Sequence, residues 1–149
     1  MAIKLDLANA FDRLRYDFIL LVLKKIGFPS IFINQVQACI NSPWIAPLIN
    51  GRPTELFKTC QGIRQGFPLS PFLYILVVDS LSRKLNRLQE GGLLPSLSFK
   101  TRVQPINHAL FSDDTILLGS ASPKIARNFL RPLDLFLRSS GSSANLDKC

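Results

Sequence analysis

Histidine, methionine and tryptophan each occur once in the 149 residues, and cysteine only three times. Cys39, Cys60 and Cys149 form an odd set without a Cys-x-x-Cys pair. That argues against a disulfide framework and against a zinc site, and makes a reducing, intracellular compartment the expectation. Long apolar runs are missing as well. The longest, Phe18 to Leu23 and Phe72 to Val78, fall far short of the ~20 residues that a membrane-spanning helix needs. The opening Met-Ala-Ile-Lys-Leu-Asp-Leu carries an acid where a secretory signal is purely apolar, so no targeting segment is expected. It also starts directly inside a strand-like stretch. Neither a repeat nor a low-complexity tract interrupts the chain. Acids are scarce: 10 Asp and Glu face 18 Lys and Arg, for a net charge of +8. Such an excess favours polyanions, either nucleic acid or an acidic membrane surface.

Apolar residues are plentiful. Leu, Ile, Val and Phe make up 54 of the 149 residues, far more than a disordered chain carries. A chain of this length has room for one packed domain and hardly two. From Ala2 to Ala8, Ile3, Leu5 and Leu7 alternate with Lys4 and Asp6, the period of a half-buried strand. Phe18 to Ile26 reads as a helix stopped by Gly27 and Pro29. Ser30 is placed to cap a second helix reaching about Ile40. A hairpin follows, with Trp44 to Ile49 and Glu55 to Thr59 around a turn at Asn50-Gly51-Arg52-Pro53.

Ser70-Pro71 is the best helix start, because serine can accept from the free amides and proline needs no donor there. The helix it opens carries Leu73, Leu76, Val77, Leu81, Leu85 and Leu88 on one stripe and ends at Gly91-Gly92. His108 to Phe111 and Thr115 to Leu118 read as strands around a tight turn at Ser112-Asp113-Asp114. Ser122-Pro123 opens a last helix, which Pro132 should bend or split. These elements predict an α+β fold with helices packed on one face of a sheet.

Two acidic spots stand out. Aspartate is depleted in strands and costly to bury unless it is paired or metal-bound, which makes Asp6 hard to explain as packing. Asp113-Asp114 also fits an ordinary turn, which aspartate favours. If both spots meet on one sheet face, they form a carboxylate cluster that only cations relieve. Hard oxygen donors without a Cys/His set point to Mg²⁺ rather than zinc.

The spacing is more specific than the composition. Asp6-Leu-Ala-Asn-Ala-Phe11-Asp12 is followed by Gln61-Gly-Ile-Arg-Gln-Gly-Phe-Pro-Leu-Ser-Pro71 and then by Phe-Ser-Asp-Asp ending at 114. In this order the chain resembles the palm of a reverse transcriptase, of the LINE-type (non-LTR) retrotransposons abundant in plant genomes. Lys4 to Arg13 resembles motif A, Gln61 to Ser82 motif B, His108 to Gly119 motif C and Asn145 to Lys148 the start of motif D. Nearly the whole chain is covered, which makes residues 1–149 a partial reverse transcriptase domain with an antiparallel palm sheet.

The resemblance implies an RNA-directed DNA polymerase acting by two-metal nucleotidyl transfer. Asp6, Asp113 and Asp114 would be its catalytic and metal-binding residues: Asp6 and Asp113 would each bind both of two Mg²⁺ ions, with Mn²⁺ able to replace them, and Asp114 would be a weaker or supporting ligand. Asp6 and Asp113 should then share one sheet face within about 10 Å of each other. Phe11 matches the ring beneath the sugar that favours dNTPs. Gln65 and Gly66 match the turn under the incoming nucleotide, Arg64 would meet phosphate, and Lys148 would protonate pyrophosphate. The implied partners are an RNA template, a DNA primer and dNTP, with no membrane. His108 is expected to pack, since this chemistry needs no histidine base.

Some positions depart from the family pattern. Phe67 stands where aspartate is usual, Asn9 where lysine is common, and Ser142-Ser143-Ala144 where a small, apolar and basic run is usual. Fingers would precede Asp6 and a thumb would follow Lys148, so the resemblance implies a truncated palm, inactive as an isolated chain. Three functions are therefore open: a polymerase palm, a basic nucleic-acid-binding module without catalysis, and a decayed retroelement fragment without function.

Overall fold

The computed structural model describes residues 1–95, 106–111 and 114–145. The first strand, β1 (Ala2–Ala8), has the expected bounds, with Leu5 and Leu7 buried and Lys4 exposed. Helices α1 (Tyr16–Ile26) and α2 (Ser30–Asn41) follow. Four two-residue strands come next: β2 (Trp44–Ile45), β3 (Leu48–Ile49), β4 (Arg52–Pro53) and β5 (Phe57–Lys58). Helix α3 (Ser70–Glu90), strands β6 (His108–Phe111) and β7 (Asp114–Leu118), helix α4 (Pro123–Ser140) and strand β8 (Ser143–Ala144) complete the order.

The main sheet runs β6-β7-β1-β8, and its neighbours pair antiparallel. Side chains alternate across it, so Leu5, Leu7, Thr115 and Leu117 face one side, where all four are buried. There they meet Ile19 and Leu23 of α1, Leu73, Val77, Leu81 and Leu85 of α3, and Phe129, Leu133 and Phe136 of α4; the apolar residues form one core. Each such side chain contributes roughly 1.5–3 kcal/mol by leaving water, which is why the helices lie on this face. On the opposite face stand Lys4, Asp6, Asp114, Ile116 and Phe111, the last 83% exposed. The fold is the α+β arrangement expected.

Several local expectations need correction. Ser30 is the first residue of α2 rather than its cap; Pro29 holds that position and no side chain caps the helix. Ser70 accepts nothing from the amides of α3. Its hydroxyl donates to the Arg64 carbonyl at 2.6 Å, which ties the preceding loop to the helix. Arg52-Pro53 belongs to β4, because the turn is only Asn50-Gly51, both with positive φ. Pro132 does not split α4, which runs unbroken with Pro132 buried in its packed face. Asp114 is a strand residue rather than a turn residue. Ser122 does cap α4, accepting from the Ile125 amide.

Candidate active site

Asp6 lies directly opposite Asp114 on the antiparallel strands β1 and β7. Opposed residues share a face and hold their Cβ atoms about 4.5–5.5 Å apart. Both side chains stand on the face turned away from the helices, and both are half-buried. Two carboxylates so placed repel, and like charges directly opposite destabilise a sheet. A cation stands beside Asp114: Lys4, two residues before Asp6 on the same face, has its Nζ 3.1 Å from Asp114 Oδ1. The backbone of Asp6 is clamped from the other side, where its carbonyl accepts from the Asn145 amide at 2.9 Å, just beyond β8.

Asp113 and Lys148 lie outside the described residues, and so does the expected separation between Asp6 and Asp113. Among the described residues, no group of three or more His, Cys, Asp or Glu side chains could hold a metal ion. What the structure brings together is the pair Asp6 and Asp114.

The remaining candidates sit on two loops that are tied to each other. After β1 the chain turns at Asn9, whose carbonyl accepts from the Asp12 and Arg13 amides. Phe11 is half-buried and stacks on Tyr74 of α3, with ring centroids 4.7 Å apart. The Phe11 carbonyl accepts from the Ile63 amide and the Leu14 carbonyl from the Gly62 amide, each at 2.8 Å. At Gly62 a side chain is impossible without movement: φ is +86°, and a Cβ would lie 2.6 Å from the Asp12 carbonyl oxygen. The segment after Asp6 and the loop before α3 thus form one unit.

Within that unit Gln65 donates from Nε2 to Asp12 Oδ1 at 3.4 Å. Arg64 is exposed, and its carbonyl is held by Ser70. Gly66 takes a left-handed φ of +80° with open space beside it. Asp12, Arg64, Gln65 and Phe67 line a cleft of about 770 Å³ whose other wall includes Trp44 and Ile45. Phe67 therefore puts an apolar ring where the family's aspartate would put a charge.

His108 packs, as expected. It is half-buried, bonds Ser82 Oγ through Nε2 at 2.8 Å, and pairs through Nδ1 with the Asn107 side chain. Asn107 is itself buried and donates to the Leu85 carbonyl at 3.1 Å. Burial holds the imidazole below its ordinary value of 6.5.

Sequence reasoning did not single out Lys4, Asp12, Tyr74 or Asn107. Lys4 left a usable signal, since a lysine two residues from an acid in a strand must share its face. Tyr74 and Asn107 left none, because their roles arise from contacts across the fold.

The sequence matches the reverse transcriptase (RNA-dependent DNA polymerase) family over residues 1–149. The Pol polyprotein of the type-2 retrotransposable element R2DM of Drosophila melanogaster is 33% identical over 146 residues, covering 97% of this chain and 13% of that protein. A type-1 R2 polyprotein of Popillia japonica is 28% identical over 147 residues, covering 99% of this chain and 23% of that protein. An uncharacterized mitochondrial protein of Arabidopsis thaliana is 47% identical over 68 residues, 46% of this chain and 56% of that protein. The chain thus spans less than a quarter of these two polyproteins. Among solved structures, apo telomerase from Candida tropicalis, truncated from the C-terminal domain, superposes with a TM-score of 0.72 at 18% identity, over 99% of this chain and 29% of that one. At that identity the likeness establishes the palm-like fold. The chain belongs to the reverse transcriptase family, with non-LTR retrotransposon polyproteins among its relatives.

Proposed function

We propose that residues 1–149 are the palm portion of an RNA-directed DNA polymerase, with Asp6, Asp113 and Asp114 as its metal-binding carboxylates. The observation that carries this reading is the register of β1 and β7, which sets Asp6 against Asp114 in a chain matched to the family along its length. The donor set fits hard divalent cations: carboxylate oxygens, half-buried on the face away from the core, without thiol or imidazole competitors in the pair. When bound, Mg²⁺ or Mn²⁺ would lower the pKa of a primer 3′-hydroxyl and balance the charge of departing pyrophosphate.

The chain's own residues prepare for that chemistry. Asp6 and Asp114 provide an anionic cradle on rigid strands rather than on loops. Phe11, braced by Tyr74, would lie beneath the sugar and favour dNTPs over ribonucleotides. The Gln65-Gly66 turn would support the nucleotide through its backbone, and Arg64 would meet phosphate. Lys148 would give a proton to pyrophosphate. RNA template, DNA primer and dNTP are the corresponding partners. No described helix is long and apolar enough to cross a membrane.

Metal-dependent thermal stability tests the site without requiring turnover. Mn²⁺ should raise the Tm of the chain by mass action, and Asp6→Asn should reduce that rise. Removing one of two repelling carboxylates should also leave the metal-free Tm unchanged or higher. Equal metal-induced shifts in both proteins would refute the site.

A further inference from the structure

Lys4 has no place in the family chemistry described so far, yet it makes the described ion pair of the carboxylate face. Its ammonium is 3.1 Å from Asp114 Oδ1, and both side chains are partly open to water. The pairing follows from register: Lys4 lies opposite Ile116, and Asp114 is the diagonal neighbour two residues earlier on β7. A flexible ammonium beside a carboxylate that is also proposed to bind a divalent cation has two possible consequences. It can pre-organise that carboxylate, or it can compete for it. Asp114 is held on a strand by backbone pairing with both β1 and β6, so it needs little help with orientation. Competition is the larger effect.

We propose that Lys4 is a resident countercharge for Asp114, one that modestly stabilises the metal-free palm and weakens its grip on divalent cations. The inference rests on the metal-site reading above. Without a divalent cation, Lys4 balances the charge of Asp114. With one, its charge repels the incoming ion and shares the Asp114 oxygens. Lys4 thereby weakens Asp114 as a metal ligand.

Calorimetric titration of the whole chain with Mn²⁺ tests this, alongside the metal-free Tm. Lys4→Met keeps the stem length and removes the charge. It should bind Mn²⁺ roughly twofold to fivefold more tightly, the scale of one solvent-screened charge, while its metal-free Tm falls. Lys4→Arg should restore both values towards wild type. In an Asp114→Asn background, Lys4→Met should change Mn²⁺ affinity much less, because the shared partner is gone. A purely structural role would lower the Tm without tightening Mn²⁺ binding. Unchanged or weaker Mn²⁺ binding in Lys4→Met would overturn the proposal. Should Lys4→Met fold poorly, Lys4→Gln supplies the same comparison. Failure of the wild-type chain to bind Mn²⁺ would instead defeat the metal-site reading itself, so the two failures are separate.

Discussion

The imidazole of His108 is caught between β6 and α3, and burial makes its charged form unfavourable. Its folded value lies below 6.5, so below pH 6.5 the unfolded chain binds more protons than the folded one. The resulting stability is complete above pH 6.5 and is lost as pH falls through the folded value. Between pH 7.5 and 5.5 the wild-type Tm should therefore drop, and His108→Gln, which retains a partner for Ser82, should show a shallower drop. Parallel curves would remove His108 as the cause. Gly62 offers a second test at this scale. Alanine there would push into the Asp12 carbonyl at a φ that disfavours any side chain. Gly62→Ala should cost about 2–4 kcal/mol in urea unfolding, and an effect below 0.5 kcal/mol would show that the loop moves freely.

Among the elements, α3 links the core to the site. Its inner stripe of Leu73, Val77, Leu81 and Leu85 is buried, while Tyr74, one position over, reaches Phe11. Tyr74→Leu should destabilise the chain by about 1–3 kcal/mol through the lost stack and the vacated volume. It should also loosen the proposed sugar platform. In an active chimera, the preference for dNTPs over ribonucleotides should fall in Tyr74→Leu in the same direction as in Phe11→Val, and an unchanged preference would detach Tyr74 from the gate. What could be read from sequence follows the same division. Strand β1 and the stripe of α3 were legible because periodicity reports burial directly. The strand position of Asp6 was legible from the same alternation, while its register against Asp114 was not. The role of Ser70 was not, since a hydroxyl can cap a helix or donate to a carbonyl, and only the path of the loop at Arg64 decides. Nor was the tolerance of α4 for Pro132, which depends on a ring filling core space rather than on local propensity. Aspartate's preference for turns predicts Asp114 in one; strand pairing with Asp6 and Phe111 overrides that preference.

For the molecule as a whole, one face of the sheet is spent on the core and the other carries charge. That division suits a platform that works with further protein or nucleic acid on its open side. Phosphoryl transfer depends mainly on positioning the substrates and on neutralising the triphosphate. The 149 residues hold candidates for metal and sugar binding, and they match less than a quarter of the R2 polyproteins. Losing a single electrostatic donor can reduce a rate by ~10²–10³-fold. The isolated chain should therefore show no detectable RNA-templated dNTP incorporation, while still binding nucleic acid in a salt-dependent manner. Robust incorporation by the bare chain, abolished by Asp113→Asn, would prove that expectation wrong.

The most direct test places residues 1–149 into the matching segment of an R2 reverse transcriptase and measures primer extension on an RNA template. The chimera should incorporate dNTP, Phe67→Asp should raise the rate by restoring the family's charge in the cleft, and Asp6→Asn should lower it by at least ~10²-fold. A soluble chimera that binds primer and template yet extends equally with Asp6→Asn, or extends nothing even with Phe67→Asp, would contradict the assignment of Asp6 and its partners as a polymerase metal site.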